Sequence, residues 1–185
     1  MAKKKKGAKT TEIFFAGFGG QGIMFMGKVM THAGLLAGRN VTWMPSYGAE
    51  VRGGTAYSMT KISDKEIASP VVTRPDILVA MNQPSLSKYE PMVKEGGIVI
   101  ANKSLIQAIT KRKGVTMMNI PFTDMASKLG NVRCANMIAL GALLKKTKIF
   151  PLRTVASALK DMIGDKKGLL ELNKRALEKG FTGSR

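Results

Sequence analysis

The segment GFGGQG at residues 17–22 constrains the fold more than any other stretch of this sequence. Its glycines each cost about 0.5–1 kcal/mol inside a regular element, so the cluster indicates a sharp turn or a close approach to a ligand. The apolar segment EIFFA at 12–16 precedes it and predicts a buried strand, and the segment from Ile23 to about Ala37 predicts a helix. The glycines therefore connect a strand to a helix.

The rest of the chain alternates between short apolar segments and helical patterns. Further strands are predicted at 41–44, 55–62, 76–81, 97–101 and 115–120. A helix is predicted from Pro84 to about Val93, and apolar residues at spacings of three and four predict that the remainder is helical. This order predicts a three-layer α/β/α domain with a largely parallel central sheet, a Rossmann-like phosphate loop and a helical C-terminal segment. Residues 1–10 are predicted to be a disordered basic tail, and residues 11–185 a single α/β domain.

Composition argues against several classes of protein. No run approaches the roughly 20 apolar residues of a membrane span, so none is predicted. The start MAKKKKGAKT lacks the apolar stretch of a secretory signal, so we expect a cytoplasmic protein. With one cysteine, Cys134, the chain cannot form an internal disulfide or hold a metal or iron–sulfur site built from its own cysteines. We expect no metal in this chain.

The formal net charge of +18 is the strongest compositional anomaly. Nucleic-acid binding is one interpretation of such a charge, and an acidic partner or ligand is another. The cations are scattered along the chain, and three tyrosines and one tryptophan offer little surface for stacking bases. We therefore expect no nucleic-acid partner.

The glycine segment matches the pattern G-x-G-x-x-G in the strand–turn–helix context that gives it meaning. Free N–H groups and the positive end of the helix dipole favour a phosphate there, although a tight turn with nothing bound is the alternative. A dinucleotide site would add Asp or Glu at the end of the second strand. That strand ends at 43–46 without an acid, and the nearest one is Glu50. The departure argues against NAD or FAD and leaves another phosphate-bearing ligand open.

The segment WMPSYGAEVRGGTA at 43–56 is a second glycine-rich stretch. It should leave the second strand at the carboxyl edge of the sheet, where ligands bind in open α/β folds. Arg52 is suited to a phosphate or a carboxylate. A surface hairpin turn without a ligand is the alternative.

Together these segments resemble the gamma subunit of the 2-oxoacid:ferredoxin (acceptor) oxidoreductases. The resemblance rests on GFGGQGIMFMGK at 17–28, WMPSYGAEVRGGTA at 43–56, SPVVTRPDILVAMNQPSL at 69–86 and GGIVIAN at 96–102. It extends from about residue 12 to residue 145. Within the family the chain is most similar to the 2-oxoglutarate and branched-chain 2-oxoacid types.

The resemblance implies a subunit of a hetero-oligomeric complex that converts a 2-oxo acid, first of all 2-oxoglutarate, to an acyl-CoA while reducing ferredoxin. A branched-chain 2-oxoacid (2-oxoisovalerate) or pyruvate is the alternative substrate, and a free-standing dinucleotide-binding dehydrogenase is a more distant alternative. This chain would bind coenzyme A and help assembly. Thiamine diphosphate, Mg and a [4Fe–4S] cluster would belong to the alpha and beta partner subunits, with a delta subunit left open. No catalytic residue is expected here, and the isolated chain should be inactive.

The resemblance also assigns residues to the coenzyme A site. Those expected to face the pyrophosphate are Gly17, Gly19, Gly20, Gln21 and Gly22. Those expected to form the opposing wall are Ser46, Arg52, Gly53, Gly54 and Thr55. Asn82 and Gln83 are expected to add side-chain hydrogen bonds, although Asn82 could equally cap the helix that follows.

Two residues that often take part in catalysis have simpler interpretations here. His32 is the only histidine and lies mid-helix, away from the glycine segment, so we expect a structural or surface role. Cys134 falls on an apolar helical face, so we expect a packed thiol rather than a nucleophile.

Overall fold

The computed structural model describes residues 9–47, 55–108 and 112–183. Within these ranges the strands are β1 (Thr10–Phe18), β2 (Asn40–Tyr47), β3 (Thr55–Ser63), β4 (Ile77–Ala80), β5 (Ile98–Asn102) and β6 (Thr116–Ile120). The helices are α1 (Ile23–Leu36), α2 (Gln83–Tyr89), α3 (Phe122–Lys128), α4 (Ala135–Thr147), α5 (Leu152–Ile163) and α6 (Lys167–Gly183). Short 3₁₀ turns span Glu90–Met92 and Val132–Cys134. Most of the predicted basic tail lies outside the described residues, and β1 begins at Thr10.

The strands form one sheet in the order β2-β3-β1-β4-β5-β6. The pairs β1/β4, β4/β5 and β5/β6 are parallel, whereas β3 is antiparallel to both β1 and β2. Among the described strands only β3 opposes the common direction, so the prediction of a largely parallel sheet is confirmed. The connection from β2 to β3 is short, and a short connection joins antiparallel neighbours, because parallel ones need a longer crossover.

The two faces of the sheet carry separate hydrophobic clusters. Ile13 and Phe15 of β1 pack in the larger cluster, together with residues of α1 and of the four C-terminal helices. Phe14 and Ala16 point the other way, into a smaller cluster that includes residues of α2. A strand covered on both faces is apolar throughout rather than alternating, which explains the sequence EIFFA. The three-layer arrangement is confirmed, with one thick helical layer and one thin one.

Helices α4 and α6 pack at very short range in the thick layer. A methyl group at Gly141 would overlap the carbonyl oxygen of Leu177, and one at Gly180 would overlap that of Ile138. Glycine at both positions therefore lets the two backbones touch. This contact fixes α4 relative to α6.

Two element boundaries differ from the sequence prediction. β2 continues to Tyr47 rather than ending at Met44, and it includes Pro45. Proline is tolerated there because β2 is an edge strand, so its outer N–H groups need no partner in the sheet. The helix predicted to reach Val93 ends at Tyr89 and continues as a 3₁₀ turn, since Pro91 has no N–H for the next α-helical bond. None of the helices in the described ranges is long and apolar enough to cross a membrane.

Candidate phosphate-binding site

The crevice between β1 and β4 is the natural ligand site of this sheet. The two strands are parallel neighbours. The helix after β1 packs on one face of the sheet and the helix after β4 on the other. Their carboxyl ends therefore diverge to opposite faces, and open α/β sheets bind ligands at such a switch point. The glycine segment follows β1 into this crevice.

Different structural constraints account for the individual glycines of this segment. Gly20 and Gly22 have φ angles of 93° and 73°, which favour glycine. A methyl group at Gly17 would lie 2.5 Å from Oε1 of Gln21. Gly19 is exposed, has no positive φ, and a methyl group there would meet nothing within 4 Å. The fold therefore explains three of these glycines, whereas no contact within the described residues requires glycine at position 19.

Gln21 uses its side chain to close the glycine turn. Its Oε1 accepts hydrogen bonds from the N–H of Phe18 at 2.7 Å and from Nδ2 of Asn82 at 3.0 Å. Its Nε2 donates to the carbonyl of Met81 at 3.4 Å. Gln21 thus joins the turn after β1 to the end of β4. The sequence predicted that Gln21 faces the ligand, and the structure gives its amide three partners within the protein.

The side chains of Asn82 and Gln83 also form hydrogen bonds within the protein. Oδ1 of Asn82 accepts from the N–H of Ser85 at 3.0 Å, so this residue caps α2 as well as holding Gln21. Gln83 accepts from the N–H groups of Gln107 and Ala108 at 3.1 and 3.0 Å. Both side chains therefore support the edge of the crevice. The alternative that Asn82 caps the helix is confirmed.

A further amide extends this network along the carboxyl edge. Asn102, fully buried at the end of β5, donates to the carbonyl of Met81 at 3.3 Å and to Oγ1 of Thr123 at 2.9 Å. Neutral amides therefore connect the ends of β1, β4 and β5 to the start of α3. Neutral hydrogen-bonding groups hold the backbone in place without adding a fixed charge that would repel an anion.

The amino end of α1 has open hydrogen-bonding capacity. No side chain caps it, and its first turn contains no acidic residue. Asn136, in the first turn of α4, packs against Gly22 so closely that a methyl group there would overlap it. Two helix amino ends therefore meet beside the glycine turn. The exposed N–H groups and the positive ends of both dipoles favour an anion at this point.

A cavity of about 200 Å³ occupies the crevice next to the turn. Gly20 and Gln21 form one wall, and Arg133 and Ala135 at the start of α4 form another. Its volume is below the roughly 300–1,000 Å³ of a site for a whole drug-sized ligand, and suits a smaller group such as a diphosphate. Sequence reasoning missed Arg133, which tertiary packing brings to the glycine turn. The sequence does contain a signal for it, because Arg133 comes just before a helix, a position at which acidic residues are favoured.

The second glycine segment is described only at its ends. Ser46 lies in β2 opposite Tyr57, and Thr55 begins β3 opposite Phe18 of β1. Thr55 is thus beside the glycine turn, whereas Ser46 is two strands from β1, or about 10 Å away. The predicted ligand-facing residues Arg52, Gly53 and Gly54 lie outside the described residues.

His32 and Cys134 have the structural roles predicted for them. Nε2 of His32 lies 3.0 Å from a carboxylate oxygen of Asp161, which joins α1 to α5. Cys134 is buried, and its Sγ donates to the carbonyl of Asn131 at 2.9 Å. Burial raises the pKa of the Cys134 thiol, which disfavours the reactive thiolate. Among the described residues no three His, Cys, Asp or Glu side chains are grouped to hold a metal ion.

Comparison with known proteins assigns this chain to a family. The chain matches the family model for pyruvate ferredoxin/flavodoxin oxidoreductase over residues 12–183. It is 38% identical over 183 residues to the 2-oxoglutarate synthase subunit KorC of Methanocaldococcus jannaschii, with 96% of each chain covered. It is 36% identical over 171 residues to the ketoisovalerate oxidoreductase subunit VorA of Methanothermobacter thermautotrophicus, with 92% of this chain covered.

The length of the match differs between these relatives. The alignment with VorA covers 35% of that protein, so the chain spans about a third of its length. The structure of the 2-oxoglutarate:ferredoxin oxidoreductase from Magnetococcus marinus, with 2-oxoglutarate, coenzyme A and succinyl-CoA bound, matches with a TM-score of 0.85 and 28% identity. That match covers 93% of this chain and 30% of the other. The resemblance found in the sequence is confirmed, and the chain belongs to the pyruvate ferredoxin/flavodoxin oxidoreductase family.

Proposed function

We propose that this chain is the gamma subunit of a 2-oxoacid:ferredoxin oxidoreductase and that it binds coenzyme A in the crevice between β1 and β4. The observation that carries the proposal is Gly19, an exposed glycine that the fold does not require, at the uncapped amino end of α1. The diphosphate of coenzyme A fits such a place, because backbone N–H groups and a helix dipole stabilise phosphate. Coenzyme A also needs no acid for a ribose diol, and the sequence has none at the end of the second strand.

The residues at the crevice divide into contacts and supports. The N–H groups at Gly19 and Gly20 and the guanidinium of Arg133 would bind the diphosphate, since arginine matches phosphate oxygens with two parallel hydrogen bonds. Gln21 and Asn82 would hold the turn in the shape that presents those N–H groups. The described part of the crevice contains no acid–base pair, so this chain would bind and orient coenzyme A. Thiamine diphosphate with Mg and a [4Fe–4S] cluster on the alpha and beta subunits would supply the decarboxylation and electron transfer.

The preferred substrate is 2-oxoglutarate, with a branched-chain 2-oxo acid or pyruvate as the alternative. The relative named for 2-oxoglutarate is 38% identical, whereas a gamma subunit named for pyruvate and ketoisovalerate, which is matched over 95% of its length, is 30% identical. The pocket for the 2-oxo acid would lie on the partner subunits, so this chain alone does not select it. The electron acceptor would be ferredoxin, and the complex would work in the cytoplasm.

The coenzyme A site is tested by replacing one arginine. Arg133→Met should weaken coenzyme A binding by about tenfold or more, since a hydrogen bond to a charged group contributes about 1.5–3 kcal/mol. Arg153→Met is the matched control, because Arg153 is also an exposed arginine and lies on α5, outside the lining of the cavity beside the glycine turn. The measurement is titration calorimetry of the purified complex with coenzyme A. A wild-type complex that binds no coenzyme A through this chain, or equal behaviour of the two variants, would refute the proposed site.

The assembly is tested by purification. A C-terminally tagged chain, isolated from its own cells without oxygen, should bring stoichiometric subunits that carry thiamine diphosphate and an iron–sulfur cluster. The complex should then reduce ferredoxin with 2-oxoglutarate faster than with 2-oxoisovalerate or pyruvate. If the chain is isolated alone, the proposed subunit role is wrong.

A further inference from the structure

The edge strand β2 presents apolar side chains to solvent beside α1. None of its eight residues is buried, and none carries a charge. Trp43 lies against α1, because a methyl group at Gly27 would overlap its indole ring. Alternate residues of a strand point to the same side, so Pro45 and Tyr47 face the same side of the sheet as α1. Tyr47 is 70% exposed. The outermost strand on this side of the sheet therefore carries aromatic side chains that the described fold leaves uncovered.

Helix α1 continues this apolar surface along its outer side. A groove of about 220 Å³ follows the helix, and its lining includes Lys28, Thr31 and Leu35 of α1 together with Trp43. Residues three and four apart share one side of a helix, so the three α1 residues form one stripe. Leu35 is 57% exposed, and Nζ of Lys28 lies 5.0 Å from the centroid of the Trp43 ring. We call the surface formed by Lys28, Leu35, Trp43 and Tyr47 the α1/β2 face.

Exposed apolar side chains are concentrated at this part of the molecule. Among the described residues, seven large hydrophobic side chains are exposed, and three of them, Leu35, Leu36 and Tyr47, belong to α1 or β2. Two others, Leu105 and Val132, line the cavity beside the glycine turn, where a ligand is already proposed. Single exposed hydrophobic residues are normal, whereas a group of them marks an interaction site. The α1/β2 face is therefore a candidate protein interface.

The lengths of the relatives indicate which kind of protein covers this face. The unit that matches this chain is 96% of KorC, but it is 35% of VorA and 30% of the Magnetococcus marinus chain. The same unit thus occurs both nearly alone and as one part of a longer chain. A covalent link keeps two parts of one chain close together, and without it a surface has to provide the association. The companion polypeptide, corresponding to the rest of the longer chains, is the partner that needs such a surface.

The α1/β2 face also reaches the proposed coenzyme A site. Tyr47 is in register with Ala56 of β3, and Ala56 is in register with Gly17 at the start of the glycine turn. Neighbouring strands are about 4.8 Å apart, so Tyr47 is about 10 Å from the turn. Coenzyme A bound in the crevice would have to meet an acyl group held by another subunit. A partner on this face would lie directly beside the crevice.

We propose that the α1/β2 face docks the companion polypeptide that the longer relatives carry within the same chain. The inference rests on the proposed function, since it takes this chain to be a subunit. Leu35 and Tyr47 would enter apolar surface of the partner, and a carboxylate of the partner would lie opposite Lys28. Pro45 has no N–H and hinders the addition of another strand along β2. Side chains would therefore form the contact, and edge-to-edge pairing with a second copy of this chain is disfavoured.

The test measures subunit association for variants of this face. The tagged chain is produced together with the subunits that carry thiamine diphosphate and the iron–sulfur cluster, and the complex is analysed by native mass spectrometry over a dilution series. Leu35→Arg should weaken the association by about a hundredfold or more, because it buries an unpaired charge in the interface. Leu169→Arg is the matched control, since Leu169 is 47% exposed on α6 and does not line the groove.

A second variant tests the other end of the face. Tyr47→Asp should weaken the association by about tenfold or more, because an exposed tyrosine that becomes buried in an interface contributes strongly to binding. Circular dichroism and thermal melting of the purified chains establish that the variants are folded. Arginine suits position 35 in the last turn of α1, where the helix dipole favours a cation, so Leu35→Arg should fold normally.

The possible results separate this inference from the proposed function. Loss of the companion in L35R and Y47D, with L169R unchanged, supports the docking face. If the folded variants associate as the wild type does, or if L169R dissociates to the same extent, the docking face is wrong while the subunit role stands. A wild-type chain that recovers no companion, or only a second copy of itself, overturns the proposed function as well.

Discussion

The side chains at the two edges of the sheet differ in charge: ion pairs occupy the amino edge, and neutral amides occupy the carboxyl edge. At the amino edge, Glu12 is held between Lys61 at 2.8 Å and Lys94 at 2.7 Å, and Lys94 also contacts Asp76 at 2.9 Å. At the carboxyl edge, the supporting side chains are the neutral amides of Gln21, Asn82 and Asn102. The charges of the amino edge balance one another within the protein, whereas the cations of the carboxyl edge have no acid beside them in the cavities they line.

The cations of the two edges also differ in their position relative to the helix dipoles. Lys145 and Lys146 of the amino edge lie in the last turn of α4, where the negative end of the dipole stabilises cations. Arg133 and Lys166 of the carboxyl edge lie at helix amino ends, where the dipole opposes them. The helix dipole therefore explains the first pair of cations, whereas it does not explain the second pair. The position of these charges supports the proposed site more directly than the net charge does.

Cavity size alone would favour the amino edge over the edge that carries the proposed site. A cavity of about 520 Å³, larger than the one beside the glycine turn, lies at the amino edge and is lined by Lys9, Lys146 and Lys148 among others. It also contains acids, Asp76 and Glu95, and its walls include the carboxyl end of α4. A wide opening between strand ends and loops can remain without a ligand. The chemistry of the lining decides between the cavities.

The largest effect is expected from two glycines of the same turn. Gly22→Ala should lower the free energy of unfolding by about 2–4 kcal/mol, because alanine is strained at a φ of 73° and would overlap Asn136. Gly19→Ala should leave stability within about 0.5 kcal/mol of the wild type and still weaken coenzyme A binding. Denaturant unfolding and calorimetry measure the two quantities. Equal stability of the two variants would show that the turn is less constrained than its geometry indicates.

A smaller effect is expected at the opposite edge. Glu12→Gln should lower the free energy of unfolding by about 2 kcal/mol, less than for a fully buried ion pair because these side chains are partly exposed. Binding of coenzyme A should not change. A loss of binding in this variant would mean that the two edges are coupled, and the comparison between them would fail.

The same residue predicts a pH dependence. Burial raises the pKa of Glu12, but hydrogen bonds and charges from Lys61 and Lys94 together lower it by more. The pKa therefore lies below the ordinary value of 4.5. Because the folded-state pKa is the lower one, the stabilisation is complete above the unfolded-state pKa and is lost as pH falls through the folded-state value. Between pH 7 and pH 3, the free energy of unfolding should therefore fall more steeply with decreasing pH for the wild type than for Glu12→Gln. Parallel pH profiles would contradict this assignment.

Sequence reasoning succeeded where local pattern decides the structure. EIFFA followed by glycines and an apolar helix predicted β1, the turn and α1, and their bounds differ from the observed ones by only a few residues. It did not predict that β3 is antiparallel, because strand direction depends on how the chain crosses the sheet. The glycine turn was predicted at the end of β1, where the structure has it, but the partners of Gln21 and Gln83 come from other strands and loops. Local spacing cannot reveal such contacts.

Two substitutions of Gln21 should change stability and coenzyme A binding to different extents, with effects of intermediate size. Gln21→Ala should cost about 1–2 kcal/mol of stability, since it leaves the N–H of Phe18 and Nδ2 of Asn82 without an acceptor. Gln21→Glu keeps that acceptor, so it should cost less stability, but its negative charge should weaken coenzyme A binding more than alanine does. If glutamate binds coenzyme A as well as glutamine does, the phosphate does not lie beside this turn.

The smallest expected effect tests the conflict between cations and helix dipoles directly. Lys166→Glu places an acid before α6, so it should raise the free energy of unfolding by about 0.5 kcal/mol at low ionic strength. Lys167→Glu, at the adjacent position, should raise it similarly. The gain should vanish at 1 M salt, where charges are screened beyond about 3 Å. A gain in both variants that disappears at high salt would show that the helix dipole opposes a lysine at the start of α6. A loss of stability on removing Lys166 would mean instead that the lysine already has a partner inside the fold, and the unbalanced charge of the carboxyl edge would need another explanation.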